Sequence, residues 1–124
     1  MSMTATIETQ PDCGPVSEIL ARIGDKWTVQ VVVSLRDNPR RFNDIKRYVR
    51  GISQQMLTRT LRGLERDGFI KRTVIPASPP QVEYSLTPLG ISLSEPLGSL
   101  AAWARVHIAR IHDERLQFDS KTSS

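Results

Sequence analysis

Between positions 53 and 66 the chain reads Ser-Gln-Gln-Met-Leu-Thr-Arg-Thr-Leu-Arg-Gly-Leu-Glu-Arg. Set out at the ~100° per residue of an α-helix, Leu57, Leu61 and Leu64 fall together, flanked by Met56 and Thr60. Gln55, Arg59, Arg62 and Arg66 collect on the opposite side with Thr58 beside them, and Gln54 and Ser53 stand at the start. Glutamine and arginine carry forked donors that match the adenine and guanine edges of a duplex major groove. Serine and threonine in a first helical turn can reach bases or phosphates, and the helix N-terminus itself favours an anion. These residues therefore predict nucleic-acid recognition, with Gln54, Gln55, Thr58 and Arg59 on base edges and Ser53, Arg62 and Arg66 on phosphates.

The charge around them agrees. Of 124 residues with a net charge of +4, the stretch from Arg36 to Arg72 holds eleven basic against four acidic residues, a net +7. The remainder holds six against nine, a net −3. A cationic segment inside a folded domain is the electrostatic footprint of a phosphate-binding surface. Arg40, Arg41, Lys46, Lys71 and Arg72 are its further candidate phosphate ligands.

The elements that must position these side chains follow from local patterns. Residues 1–12 show no periodicity and predict a loose arm. Val16, Ile19, Leu20 and Ile23 recur at helical spacing until Gly24. The valine-rich run from Trp27 to Leu35 has strand-like composition, but Asp25 is placed to cap a helix and Asn38-Pro39 to end one. Phe42, Ile45 and Val49 predict a short helix closed by Gly51, and Ser53 caps the next one, with Gly68 just past its end. Two extended stretches, to Ile75 and from Gln81 to Leu86, flank a proline-rich break and predict a β-hairpin. Thr87-Pro88 opens a last helix with a stripe of Leu89, Leu93, Leu97, Leu100, Ala104, Ile108 and Ile111. Pro96 should kink or restart it, and the tail from residue 116 to 124 should be loose. The expected architecture is mostly α with a small β-hairpin, a winged helix-turn-helix occupying residues 13–115 and dimerising through its terminal helices.

Taken together, Ile23-Gly24-Asp25-Lys26-Trp27-Thr28, Pro39-Arg40-Arg41-Phe42-Asn43-Asp44-Ile45 and Gly51-Ile52-Ser53-Gln54-Gln55-Met56-Leu57-Thr58 resemble the HxlR-type transcriptional regulators. So do Leu61-Arg62-Gly63-Leu64-Glu65-Arg66-Asp67-Gly68, Val82-Glu83-Tyr84-Ser85-Leu86-Thr87-Pro88-Leu89-Gly90 and Trp103. The resemblance spans about residues 13–113. It implies a homodimeric bacterial winged-helix regulator on double-stranded DNA, while the single cysteine makes a reducing cytoplasm the expected setting. Members that sense oxidants or quinones do so through an N-terminal cysteine directly before a Pro-Val or similar pair; here Gly14 separates Cys13 from Pro15-Val16. The family often has Lys or Arg beside the hairpin loop, where this chain has Gln81.

Other chemistry is poorly provided for. Cys13 is the single cysteine, which excludes an intrachain disulfide and thiolate-rich metal sites. It is a candidate redox sensor, with a small electrophile as its partner, or else a small apolar residue. His107 and His112 are five residues apart and do not share a helix face, so no metal is expected. No paired carboxylates, nucleophile–base pair or phosphate-cradling glycine pattern points to catalysis or a cofactor. No apolar run of membrane-spanning length occurs, so no membrane partner is expected. Leu93, Leu97, Leu100, Trp103, Ile108 and Ile111 are the expected dimer interface, since the last stripe is longer than one hairpin can cover. Two alternatives stay open: a protein-interaction module without DNA, and a regulator switched by a small ligand in the dimer crevice.

Overall fold

The computed structural model describes residues 13–122. The expected arm at residues 1–12 lies outside them, as does the side chain of Cys13. Eight elements follow in chain order: α1 (Cys13–Ile23), α2 (Lys26–Ser34), β1 (Arg40–Arg41), α3 (Phe42–Tyr48), α4 (Gln54–Arg66), β2 (Ile70–Ile75), β3 (Gln81–Leu86) and α5 (Pro88–Thr122).

The valine run is helical for the reason its flanks suggest. The Asp25 carboxylate accepts from the backbone N–H groups of Trp27 and Thr28, satisfying two donors that the first turn of α2 leaves unpaired. That fixes a nine-residue helix whose Val31 and Val32 are fully buried. α2 is the central post of the fold, packed against both α4 and α5. Around it Leu35, Ile45, Val49, Ile52, Leu57, Leu61, Leu64, Phe69, Ile70 and Leu97 complete one core.

Three strands form the sheet, not two. β3 lies in the middle, antiparallel to β2 along its whole length and to β1, with Arg40 opposite Tyr84 and Arg41 opposite Glu83. β1 is only two residues long and has no periodicity to read. It joins the start of the helix-turn-helix to the hairpin.

α5 departs from expectation in its extent. It runs as one helix through Pro96 without restarting. The missing N–H at Pro96 costs a hydrogen bond, and Ser94 and Leu97 on either side are buried. The helix also continues through residues 116–122, where a loose tail was expected. Side-chain links at i,i+4, Arg110 to Glu114 and Gln117 to Asp113, support these turns. Finally, the apolar stripe divides. Leu97 is buried in the chain's own core, and the partly buried Leu93 packs against it. Beyond them Leu100, Trp103, Ile108 and Phe118 are exposed. Among the described residues no helix is long and apolar enough to cross a membrane.

Candidate nucleic-acid interface

α3 and α4 are joined by a turn that only a glycine suits. Gly51 adopts φ +89°, and Ile52 follows it into the core. Ser53 then caps α4, its Oγ accepting from the Met56 N–H at 3.0 Å. Ile52 before the cap and Leu57 inside the helix are both buried, the staple arrangement that fixes how a chain enters a helix. At the other end the N–H of Gly68 donates to the Glu65 carbonyl and that of Phe69 to the Leu64 carbonyl. Gly68 has φ +85°, so the helix closes in a Schellman motif, with Phe69 buried beside Leu64.

Held at both ends, α4 buries Leu57, Thr60, Leu61 and Leu64 and exposes Gln54, Gln55, Thr58, Arg59, Arg62 and Arg66. Among the described residues none of Arg59, Arg62 and Arg66 is ion-paired. A row of unneutralised guanidinium groups on one face of a helix is a surface that attracts phosphate and can donate to base edges. Ser53, Gln54, Gln55 and Thr58 line a shallow depression at the leading end of α4.

The basic residues around α4 are not equivalent. Arg72, opposite Tyr84 on β3, lines a recess with Thr58, Arg62 and Glu65 of α4, so the hairpin's first strand is brought up to the recognition face. Lys71 is its neighbour on the strand, and alternation sends it to the opposite face of the sheet. Arg41 and Lys46 are exposed. Arg40 is turned inward: its Nε donates to the Ser34 carbonyl at 2.5 Å, and its guanidinium lies 5.0 Å from the centre of the Tyr48 ring. It ties β1 to the end of α2. Arg47 is paired with Asp44 on its own helix.

Arg22 is a residue that reasoning from sequence missed. Its Nε lies 2.7 Å from Oδ2 of Asp67, the residue that caps the C-terminus of α4. Its guanidinium passes over Gly63, where a Cβ would stand 2.9 Å from Nη1. The available signal was Gly63 itself, a helix-weakening residue inside an otherwise regular amphipathic helix.

The remaining candidates are placed as follows. Trp27 packs against the core beneath the Lys26 ammonium, 4.4 Å from its ring centroid. Trp103 is 53% exposed and stacks on His107, with ring centroids 4.4 Å apart. The His107 Nδ1 donates to the Trp103 carbonyl, since that oxygen can only accept. Among the described residues no three His, Cys, Asp or Glu side chains gather as a metal-ligand set.

Comparison with known proteins places this geometry. The HxlR-like helix-turn-helix family model matches residues 22–112. The HTH-type transcriptional regulator YtfH of Escherichia coli strain K12, itself uncharacterized, is 41% identical over 104 residues, covering 82% of each chain. The structure of ytfH from Salmonella typhimurium matches with a TM-score of 0.76 and 40% identity, over 82% of this chain and 90% of that one. The redox regulator HypR in its reduced form matches with a TM-score of 0.73 and 36% identity, over 81% and 99%. With its mostly helical winged-helix fold and the cationic helix that fold presents, the chain belongs to the HxlR-like helix-turn-helix family of transcriptional regulators.

Proposed function

We propose that the protein acts as a homodimer on an inverted-repeat DNA operator, placing the two copies of α4 in successive major grooves about 34 Å apart, one turn of duplex. Gln54, Gln55, Thr58 and Arg59 read base edges. Arg62 and Arg66, with Ser53, Arg41, Lys46 and Arg72, hold phosphates; Lys71 supports the hairpin, and Arg40 contributes by fixing β1. The observation that carries this reading is the open face of α4, with its amides and arginines outward and its leucines in the core. The dimer rests on Leu100, Trp103, Ile108 and Ile111 of α5, together with the exposed Val16, Ile19 and Leu20 of α1. An apolar surface of that extent is what a second copy would cover.

Fluorescence anisotropy with DNA from upstream of the gene and with scrambled DNA, across a range of salt, tests the reading. A preference of about a thousandfold with a steep linear dependence on log salt is the expected result. Absence of binding at low salt would overturn it in favour of a protein-interaction module.

A second reading concerns the switch and is favoured by the likeness to a redox regulator. Cys13, at the first position of α1, is the group an oxidant or electrophile would modify. Cys13→Ser should then bind operator normally and lose its response to diamide. A response retained in this variant would assign switching to a small ligand in the dimer crevice.

A further inference from the structure

We infer that Arg22 is a positioning residue: by pairing with Asp67 across the back of α4, it sets the seat of the recognition helix against α1 and so the spacing of the two helices in a dimer. The inference rests on the DNA-binding reading above.

Three features converge. First, the pair joins the last turn of α1 to the terminal cap of α4 at 2.7 Å, with both side chains partly shielded from solvent. Second, Oδ2 of Asp67 is itself buried and receives no aligned hydrogen bond among the described residues, so its compensation there is the charge of Arg22. Removing that charge leaves a carboxylate oxygen that must be rehydrated by movement of the chain around it. Third, the absence of a side chain at Gly63 leaves room for the guanidinium to cross α4 at this point. Arg22 and Gly63 also share a recess with Asp25 and Arg59, so Arg22 borders the same helix at the level of a base-reading residue.

α1 is well placed to pass a displacement on. Ile23 packs against the core, whereas Val16, Ile19 and Leu20 on its outer side are exposed and belong to the surface assigned to the second copy. α1 thus stands between the partner and the recognition helix. Through Arg22, the position it takes against the partner becomes a constraint on α4. The two-fold operation doubles any shift of α4 into a change in half-site separation.

The test uses a duplex selected from random sequence by the full-length wild-type protein, with versions whose half-site spacing is lengthened or shortened by one base pair. Wild type, Arg22→Ala, Arg22→Lys and Asp67→Asn are titrated against these duplexes and random DNA, well below each variant's melting temperature. Arg22→Ala and Asp67→Asn should lower the preference for native spacing over altered spacing by about two- to thirty-fold. Binding to random DNA should stay unchanged, and Arg22→Lys should recover part of the preference. Combining Arg22→Ala with Asp67→Asn should add little to either alone. A lowered melting temperature with an unchanged spacing preference would assign the pair to stability only and overturn the inference. Failure of the wild-type protein to select any sequence would overturn the DNA-binding reading itself, and the inference with it.

Discussion

The helix-turn-helix with its hairpin and the pair formed by α1 and the outer half of α5 treat the same kind of residue in opposite ways. In the first region the leucines of α4 are inside and its arginines outside: Leu57 is 0% exposed while Arg59, Arg62 and Arg66 have no ion pair among the described residues. In the second the large apolar residues are outside: Trp103 is 53% exposed, Leu116 69% and Phe118 65%. On the outer half of α5, Arg110 is paired with Glu114. The apolar side of α4 is buried beneath its charged face, whereas the outer half of α5 offers hydrocarbon at its surface. In the reading proposed above, the first region faces a polyanion and the second a further apolar surface.

If so, truncating an apolar side chain should have different consequences in the two places. The largest loss of monomer stability is expected from Leu57→Ala. It removes a fully buried side chain at the junction of α4 with the core and should cost about 2–5 kcal/mol in chemical denaturation. The change would be the same at every protein concentration. Trp103→Ala should instead leave the protomer's own packing alone and weaken self-association by about 2 kcal/mol or more, if the tryptophan is an interface anchor. Sedimentation equilibrium checks it. A concentration-independent loss in both variants would erase the contrast between the two regions.

How much of this was legible in the residues depended on whether the deciding interaction was local. Asp25 before the valine run, Ser53 before α4, Gly68 after it and Thr87-Pro88 before α5 are signals whose partners lie within a few positions, and each element begins or ends there. The outward set on α4 follows from the same periodicity that defines its core face. What escaped was decided at long range. β1 exists because β3 passes alongside Arg40 and Arg41, some forty positions later. Leu97 belongs to the core because α2 and α5 meet there, whereas a stripe on a helix says only that something covers it. Arg22 reaches Asp67 because α1 ends beside the end of α4. Helical continuation past residue 115 is the exception, since its i,i+4 links are local but each is too weak to read alone.

The contrast sharpens further on the charged face. Arg59→Ala should cost about 1–3 kcal/mol in operator affinity and relax one base preference. An equal loss on operator and random DNA would remove Arg59 from the base-reading set. Ser53→Ala should cost about 1 kcal/mol of stability, by leaving the Met56 N–H without its acceptor at the entry to α4. Because the cap also holds the N-terminal turn where Gln54 and Gln55 sit, its loss should weaken operator binding more than random binding. Equal weakening would place those glutamines away from the bases.

The smallest effect is the most discriminating, because it compares one residue type in the two regions. Arg66 is an exposed cation at the end of α4 with no ion pair among the described residues, and Arg110 an exposed cation bonded to Glu114 one turn along α5. A surface pair of that kind contributes only ~0.3–0.5 kcal/mol, and the order Arg before Glu is the less favourable one along a helix. Arg110→Ala should therefore change the melting temperature hardly at all. Arg66→Ala should be equally mild on stability, yet lower the slope of log affinity against log salt by about one, the signature of a lost phosphate contact. Arg110→Ala should leave that slope where it was. A matching drop in both variants would mean that DNA reaches the outer half of α5, and the apolar residues assigned to a second copy would then have to share their surface with the duplex.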